Sequence, residues 1–187
     1  AYAQARMDYQ RLLGEHPRSP LAASAEIELI FACYHEGSYQ EAIAQAARVK
    51  VETLSPKLTA EISRLVGDAY MALKAPVDAV SFYAMAYHLS ENVDKERLLP
   101  PIQSAIRQLD TPGILSLLGR LAGKPPTDYL MYQLGLNKIA EQNFDAAIAV
   151  FSEFIDKYPD HEYNVQAKTR LAQLSKEYKF NRHTIGC

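Results

Sequence analysis

The stretch GDAYMALKAPVDAVSFYAMA, residues 67–86, decides the fold, because its order of small and large residues returns further along the chain. Gly67 is followed by Tyr70, Ala79 and Tyr83. Residues 135–154, GLNKIAEQNFDAAIAVFSEF, carry a matching pattern. A spacing of 34 residues aligns three consecutive blocks without a gap: 60–93, 94–127 and 128–161. Self-similarity at this period predicts helix pairs, each of which must stack on its neighbours to bury its apolar face.

The period and the offsets resemble the tetratricopeptide repeat (TPR), whose pattern is Leu-Gly-x-x-Tyr, then Ala-x-x-x-Phe, then Pro. The third block matches it with Gly135, Ala147, Phe151 and Pro159. The middle block is degenerate, and a further repeat at 23–56 fits after a slip of three residues. The resemblance implies an all-α fold, a TPR-like α-α superhelix formed by a solenoid of about five antiparallel helix pairs.

Hydrophobic periodicity and capping residues predict ten helices. Ser38 and Asn143 are candidate N-caps, and Thr111 is a third, ahead of a proline. Pro100 and Pro101 are expected to kink or split the sixth helix. In the last helix Val165, Leu171 and Leu174 are predicted to face inward. The predicted helices cover residues 1–14, 21–36, 38–51, 57–73, 76–89, 94–109, 112–122, 127–141, 144–157 and 161–177.

Composition narrows the classes of function. Hydrophobic residues make up 48% of the 187 residues, enough for a continuous core, but no apolar run approaches the length of a membrane span. The net charge of −2 is spread over the chain, which argues against a nucleic-acid partner. Cys33 is expected to be buried and inert, and the two cysteines form no disulfide framework.

No motif for catalysis was found. The five histidines have no metal-ligand spacing, and Gly119 to Lys124 does not match a phosphate-binding loop. The sequence therefore predicts a protein that is not an enzyme and that uses no cofactor. Catalytic groups brought together only by the fold remain the alternative.

The TPR resemblance also implies a binding site. In TPR arrays the first helix of each pair lines the concave face of the superhelix, where a protein or peptide partner binds. The alternative is that shifts in repeat phase make some of these residues part of the core. The lysines and asparagines with which cochaperone TPRs bind a C-terminal carboxylate are missing from the matching positions. The predicted groove residues are Phe31, Tyr34, Arg64, Asp68, Met71, Tyr129, Tyr132, Leu136, Tyr163 and Arg170.

Two helix endings, at residues 9–19 and 151–160, share large residues followed by an aromatic residue and proline. This pattern resembles bacterial envelope TPR lipoproteins, among them the outer-membrane assembly (BamD-like) lipoprotein and the Tol-associated periplasmic TPR protein. The resemblance implies a periplasmic, outer-membrane-anchored protein, with a lipid anchor upstream of this chain.

The last residues extend this resemblance. Residues 178–187, YKFNRHTIGC, resemble the first strand of a type I periplasmic solute-binding domain. A TPR region followed by such a domain is the layout of LpoA-like penicillin-binding-protein activators. We therefore expect a helical repeat domain at 1–178 and an extended tail at 179–187 that begins a further domain. The implied function is a scaffold that docks a cell-wall-synthesis partner. For the tail, the alternative is a frayed C-terminus. For the function, the alternative is a BamD-like or Tol-associated adaptor that binds peptide segments.

Overall fold

The computed structural model describes residues 1–50 and 53–184, and for residues 177–184 only the helical backbone. Within these ranges all regular structure is helical, and the ten α-helices follow the predicted order. The prediction of an all-α, TPR-like fold is confirmed. The helices are α1 Tyr2–Glu15, α2 Ala22–Glu36, α3 Tyr39–Ala46, α4 Pro56–Ala72, α5 Pro76–Leu89, α6 Asn92–Ile106, α7 Thr111–Leu121, α8 Thr127–Ala140, α9 Phe144–Lys157 and α10 Asn164–Thr184.

The chain forms two compact units, residues 1–105 and 106–187. In the first unit, each of α1 to α4 packs against the helix that follows it, and α4 and α5 form the most extensive pair. In the second unit, α7, α8, α9 and α10 pack in sequence in the same way. Because the connections are short, consecutive helices within each of these two sets run antiparallel, as in other helical repeats.

The repeat is visible in the backbone at the turn between the two helices of a pair. Gly37, Lys74 and Gln142 are each fifteenth in their blocks, and all three have positive φ angles, of 89°, 59° and 58°. The amide that follows each of them bonds to a carbonyl five residues back, at 2.9 Å in all three turns. This is the Schellman arrangement, in which a left-handed residue satisfies the last carbonyls of a helix. Three pairs therefore share one turn, although only one of them uses glycine.

The repeated glycines explain the packing inside a pair. A Cβ on Gly67 would lie 2.6 Å from ring carbons of Tyr83, and one on Gly135 would lie 2.6 Å from Phe151. Both rings are buried, as are Ala79 and Ala147 on the same helices. Each glycine therefore lets the two helices of its pair approach closely, with an aromatic ring of the second helix lying directly over it.

The cores of the two units are made of these facing residues. In the first unit, one buried cluster contains Ile30, Ile62, Leu65 and Val66, and a second contains Leu29, Cys33 and Ala42. The Cys33 thiol is free and buried, and burial raises its pKa to about 11. In the second unit the buried cluster comprises Met131, Ala147, Phe151, Phe154, Ala167 and Leu174.

Two local predictions need correction. Helix α6 is continuous through Pro100 and Pro101, so of the predicted kink or split, the split does not occur. Because proline has no backbone N–H, Pro100 and Pro101 leave the carbonyls of Glu96 and Arg97 without a helical hydrogen-bond donor. Glu96, Arg97 and Pro100 are exposed, so water can bond to these two carbonyls instead. Val165 is 72% exposed, because it lies off the α10 stripe that buries Ala167 and Leu174.

The helix caps differ from prediction at two positions. Asn143 accepts a bond from the Ala146 amide, as predicted, but the third cap is Asp110, which accepts from the Gly113 amide. Thr111 is instead the first residue of α7. Ser38 occupies the N-cap position of α3 without a side-chain hydrogen bond to the backbone.

The C-terminal segment also differs. Helix α10 continues to Thr184, so the backbone at 179–184 is helical where an extended tail was predicted. No glycine or proline lies between Tyr178 and Thr184 to stop the helix, and Asn181 alone does not end it. Residues 185–187 lie outside the described part of the chain, and a domain beyond them stays a prediction.

Candidate partner-binding surfaces

Three predicted groove tyrosines form one patch in the second unit. The ring centroid of Tyr163, just before α10, lies 4.6 Å from that of Tyr132 and 5.7 Å from that of Tyr129, both on α8. All three side chains are partly exposed. Spacing by three residues on α8 gives Tyr129 and Tyr132 a common side, and the α9–α10 connection places Tyr163 against both. We call Tyr129, Tyr132, Leu136, Tyr163 and Arg170 the tyrosine surface.

The tyrosine surface rests directly on the core. Tyr132 lies 5.8 Å from Phe151 and 5.7 Å from Phe154, measured between ring centroids. Leu136 and Tyr163 pack against the same buried cluster. Burial raises the pKa of Tyr132, while the nearby Arg170 guanidinium acts in the opposite direction. Tyr132 is therefore both a packing residue and a surface residue, so the two interpretations left open by the sequence both apply to it.

A histidine that the sequence did not single out lies beneath the tyrosine surface. His161 Nδ1 accepts a hydrogen bond of 3.1 Å from the Tyr163 amide, which fixes the ring under Tyr129 and Tyr163. Its Nε2 atom is 3.5 Å from Asp128 Oδ2. The Tyr158 hydroxyl and His161 Nε2 are both buried without a hydrogen bond in the described part of the chain. The spacing of histidines along the sequence carries no signal of this arrangement, since no second histidine takes part.

Acidic groups lie at the end of the tyrosine surface where α8 begins. The Tyr129 hydroxyl donates a hydrogen bond of 2.6 Å to Glu162 Oε1. Asp128, one residue before Tyr129, also accepts a bond from the Tyr129 amide. These bonds hold the Tyr129 ring at the edge of the unit with two carboxylates beside it.

The predicted groove residues of the first unit form a polar network. Asp68 accepts a bond of 2.7 Å from Arg64 and another of 2.7 Å from the Tyr83 hydroxyl. Burial and the neighbouring Asp68 carboxylate both raise the pKa of Tyr34. Since Tyr34 belongs to α2, the network extends to that helix. We call Tyr34, Arg64, Asp68 and Tyr83 the Asp68 network. Tyr83, a repeat residue that was not among the predicted groove residues, is its fourth member.

The other two predicted residues of the first unit have separate environments. Phe31 packs against the cluster around Ile30, and Met71 is partly exposed near the end of α4. A cleft of about 620 Å³ lies beside the network, between the start of α4, the end of α5 and α6. Its lining includes Ala60, Glu61, Arg64, Leu89, Arg97 and Leu98. Part of the predicted groove face thus borders a real depression.

Two further features of the described residues bear on function. No helix among the described residues is both long and apolar enough to cross a membrane. In the same residues, no group of three or more His, Cys, Asp and Glu side chains could hold a metal ion.

Comparison with known families identifies the repeats in two segments. One tetratricopeptide-repeat model matches residues 2–57 and another matches residues 129–161. The second match covers most of α8, all of α9 and the following loop as far as His161, and the first runs from α1 into α4. Among curated proteins, no significant match to the chain was found. The chain therefore carries tetratricopeptide repeats, whose general role is to bind protein or peptide partners.

Proposed function

We propose that this chain is a protein-interaction scaffold whose tyrosine surface docks a segment of a partner protein. The observation that supports this most is the cluster of three partly exposed tyrosines, of which Tyr129 and Tyr132 lie on the first helix of a matched repeat and Tyr163 lies just after that repeat. Tyrosine gives a large contact area at low entropic cost and keeps a polar group for water when no partner is bound.

The packing beneath the surface supports the same role. Tyr132 is held by Phe151 and Phe154, and Tyr163 by Tyr132 and His161, so the rings are already ordered before a partner arrives. Preordered rings reduce the entropy lost on binding. A rigid aromatic patch of this kind is typical of the residues that dominate binding energy in protein interfaces.

We further propose that the partner belongs to the bacterial cell envelope and that the chain works in the periplasm, as the TPR region of a lipoprotein. The support is the resemblance of the helix endings at 9–19 and 151–160 to envelope TPR lipoproteins. In an LpoA-like protein the chain would dock a cell-wall-synthesis partner and position a solute-binding-like domain. The second candidate is a BamD-like or Tol-associated adaptor, which binds peptide segments with the same surface.

Site-specific photo-crosslinking tests these proposals together. A photoreactive phenylalanine analogue replaces Arg170, which is exposed beside Tyr132, in cells of the source organism. The control carries the analogue at Glu153, an exposed position on α9. We expect a discrete adduct from position 170 that is absent from position 153, and an envelope protein as the crosslinked partner.

The results separate the levels of the proposal. Identical adducts at both positions, or none at position 170, would overturn the tyrosine surface as a docking site. A cytosolic partner at position 170 would keep the docking site and overturn the periplasmic assignment. A cell-wall synthase as partner favours the LpoA-like candidate, and an unfolded outer-membrane protein favours the BamD-like one.

A further inference from the structure

The tyrosine surface carries opposite charges at its two ends. Asp128 and Glu162 lie beside Tyr129, where α8 begins and the α9–α10 connection ends. Exposed Asp160 adds a third carboxylate to the same connection. Arg170, whose guanidinium acts on Tyr132, lies further along α10. We call the part formed by Asp128, Tyr129, Glu162 and Tyr163 the acidic end.

The aromatic rings at the acidic end suit a cation. The planes of Tyr129 and Tyr163 are almost perpendicular, at 87°, and both side chains stay partly exposed. The face of an aromatic ring attracts an ammonium or guanidinium group within about 6 Å of the centroid. The chain already contains such contacts elsewhere, because Lys95 lies 5.5 Å from the Tyr87 centroid and Lys157 lies 5.8 Å from that of Tyr158.

Hydrogen bonding strengthens the effect at Tyr129. Its hydroxyl donates to the Glu162 carboxylate, which increases the electron density of the ring and holds a negative charge at its rim. A cation placed there meets the ring and the carboxylate together. At the other end, Arg170 repels a second cation, so the surface as a whole favours one basic residue and not a basic run.

We propose that the acidic end binds one basic side chain, arginine or lysine, of a peptide partner whose neighbouring apolar residues lie along Tyr132 and Leu136. This inference rests on the proposed docking role of the tyrosine surface and adds the chemistry of the partner.

The length of the surface sets the length of the probe. Seven residues of α8 separate Tyr129 from Leu136, which is about 10 Å along a helix. An extended peptide covers that distance with roughly three residues. The probe is therefore acetyl-Arg-Leu-Leu-amide, and its control is acetyl-citrulline-Leu-Leu-amide, which has nearly the same shape but no charge.

The experiment is an NMR titration of the whole chain with ¹³C-labelled tyrosine at pH 7.5, assigned with single Tyr→Phe variants. We expect the ring signals of Tyr129 and Tyr163 to shift, and the arginine peptide to bind about fivefold more tightly than the citrulline peptide, as expected for an exposed cation–π site beside carboxylates. Added salt should bring the two affinities together.

A charge variant and a matched control complete the test. Glu162→Gln should reduce the arginine preference by at least half, whereas Glu153→Gln, an exposed acid on α9, should leave it unchanged. Equal binding of the two peptides to the unmodified chain would overturn this inference while leaving apolar docking in place. If neither peptide shifts any of the three tyrosines, the docking surface itself fails along with the inference.

Discussion

At the scale of single residues, Gly67 and Gly135 are the positions where one added carbon matters most. Each lies under an aromatic ring that would be 2.6 Å from a Cβ. We expect Gly67→Ala and Gly135→Ala to lower the free energy of unfolding by about 1–3 kcal/mol each, the usual cost of overpacking.

Gly119→Ala is the control, because Gly119 lies in helix α7 and nothing lies within 4 Å of a Cβ built there. It should be neutral or stabilising by up to about 1 kcal/mol. Urea unfolding of the three variants checks this, and equal losses at all three positions would contradict it.

Tyr132 gives a prediction about a residue with two roles. It contacts buried Phe151 and Phe154 but stays partly exposed. Tyr132→Ala should therefore cost about 2–3 kcal/mol of stability, somewhat less than the roughly 3–5 kcal/mol of a fully buried aromatic ring. Tyr132→Phe keeps the ring and should stay within about 0.5 kcal/mol of the unmodified chain. Thermal melts of both variants measure this, and a negligible loss for the alanine variant would show that the ring does not support the core.

Residue types and periodicity were enough to place Tyr129, Tyr132 and Tyr163 together, because a helical face and a 34-residue period fix their neighbours. The same reasoning missed His161 and Tyr83. His161 takes its place through a hydrogen bond within the α9–α10 loop, and Tyr83 joins the Asp68 network through its hydroxyl, while its ring is core. Neither contact has a periodic pattern, so only the folded chain reveals it.

At the scale of elements, the repeated turn offers a direct test of the backbone account. Gly37 and Gln142 both adopt left-handed angles at the same position of their repeats. Gly37→Ala should destabilise by about 1–2 kcal/mol, since a Cβ is unfavourable there although nothing lies within 4 Å of it. Gln142→Gly should stabilise by up to about 1 kcal/mol for the opposite reason. Differential scanning calorimetry can rank the two variants, and a stabilising Gly37→Ala would refute the account of the turn.

A contact between the start of α7 and the end of α8 gives a pH-dependent prediction. Hydrogen bonds from Lys138, and then from Thr111, lower the pKa of Glu141. A lowered pKa means that the charged carboxylate is favoured in the folded state. Its contribution is therefore complete above the ordinary glutamate pKa of about 4.3 and is lost as the pH falls through the folded value.

Thr111→Val removes one of these donors, so the pKa of Glu141 should rise toward its ordinary value. The stability difference between the variant and the unmodified chain should shrink as the pH falls from about 6 to about 3. An NMR titration of the Glu141 carboxyl carbon measures the first effect, and urea unfolding across that pH range measures the second. An unchanged Glu141 pKa in the variant would show that Thr111 does not hold the charge.

Helix order and most helix boundaries followed from periodicity, glycine and proline, but α3 ends at Ala46 where the prediction ended at residue 51, and α6 and α10 are shifted as well. The errors have separate physical causes. Prolines at 100 and 101 do not break α6 because the carbonyls that they leave unbonded belong to exposed residues. The residues after Tyr178 read as an apolar extended run, yet they contain no helix breaker before Gly186, and α10 continues to Thr184.

At the scale of the whole molecule, the sequence pattern predicts the fold in more detail than it predicts the function. The same small residue, ring and turn recur in both units, and family models match repeats near both ends of the chain. Partner identity has no comparable pattern, because the partly exposed first-helix residues differ from repeat to repeat. The fifth position of a block is Arg64 in one repeat and Tyr132 in another. The ninth position is Asp68 in the first of these repeats and Leu136 in the second.

The most direct test of the central claim is the dissociation constant of the crosslinked partner segment for Tyr129→Ala. Tyr129 is partly exposed and bonded to Glu162, so its loss should leave the fold intact. We predict that the dissociation constant rises by about 5- to 150-fold, equivalent to roughly 1–3 kcal/mol of binding energy at a contact residue. Tyr87→Ala, in the first unit, should leave it unchanged. An affinity for Tyr129→Ala equal to that of the unmodified chain, with the helical fold retained, would contradict the account.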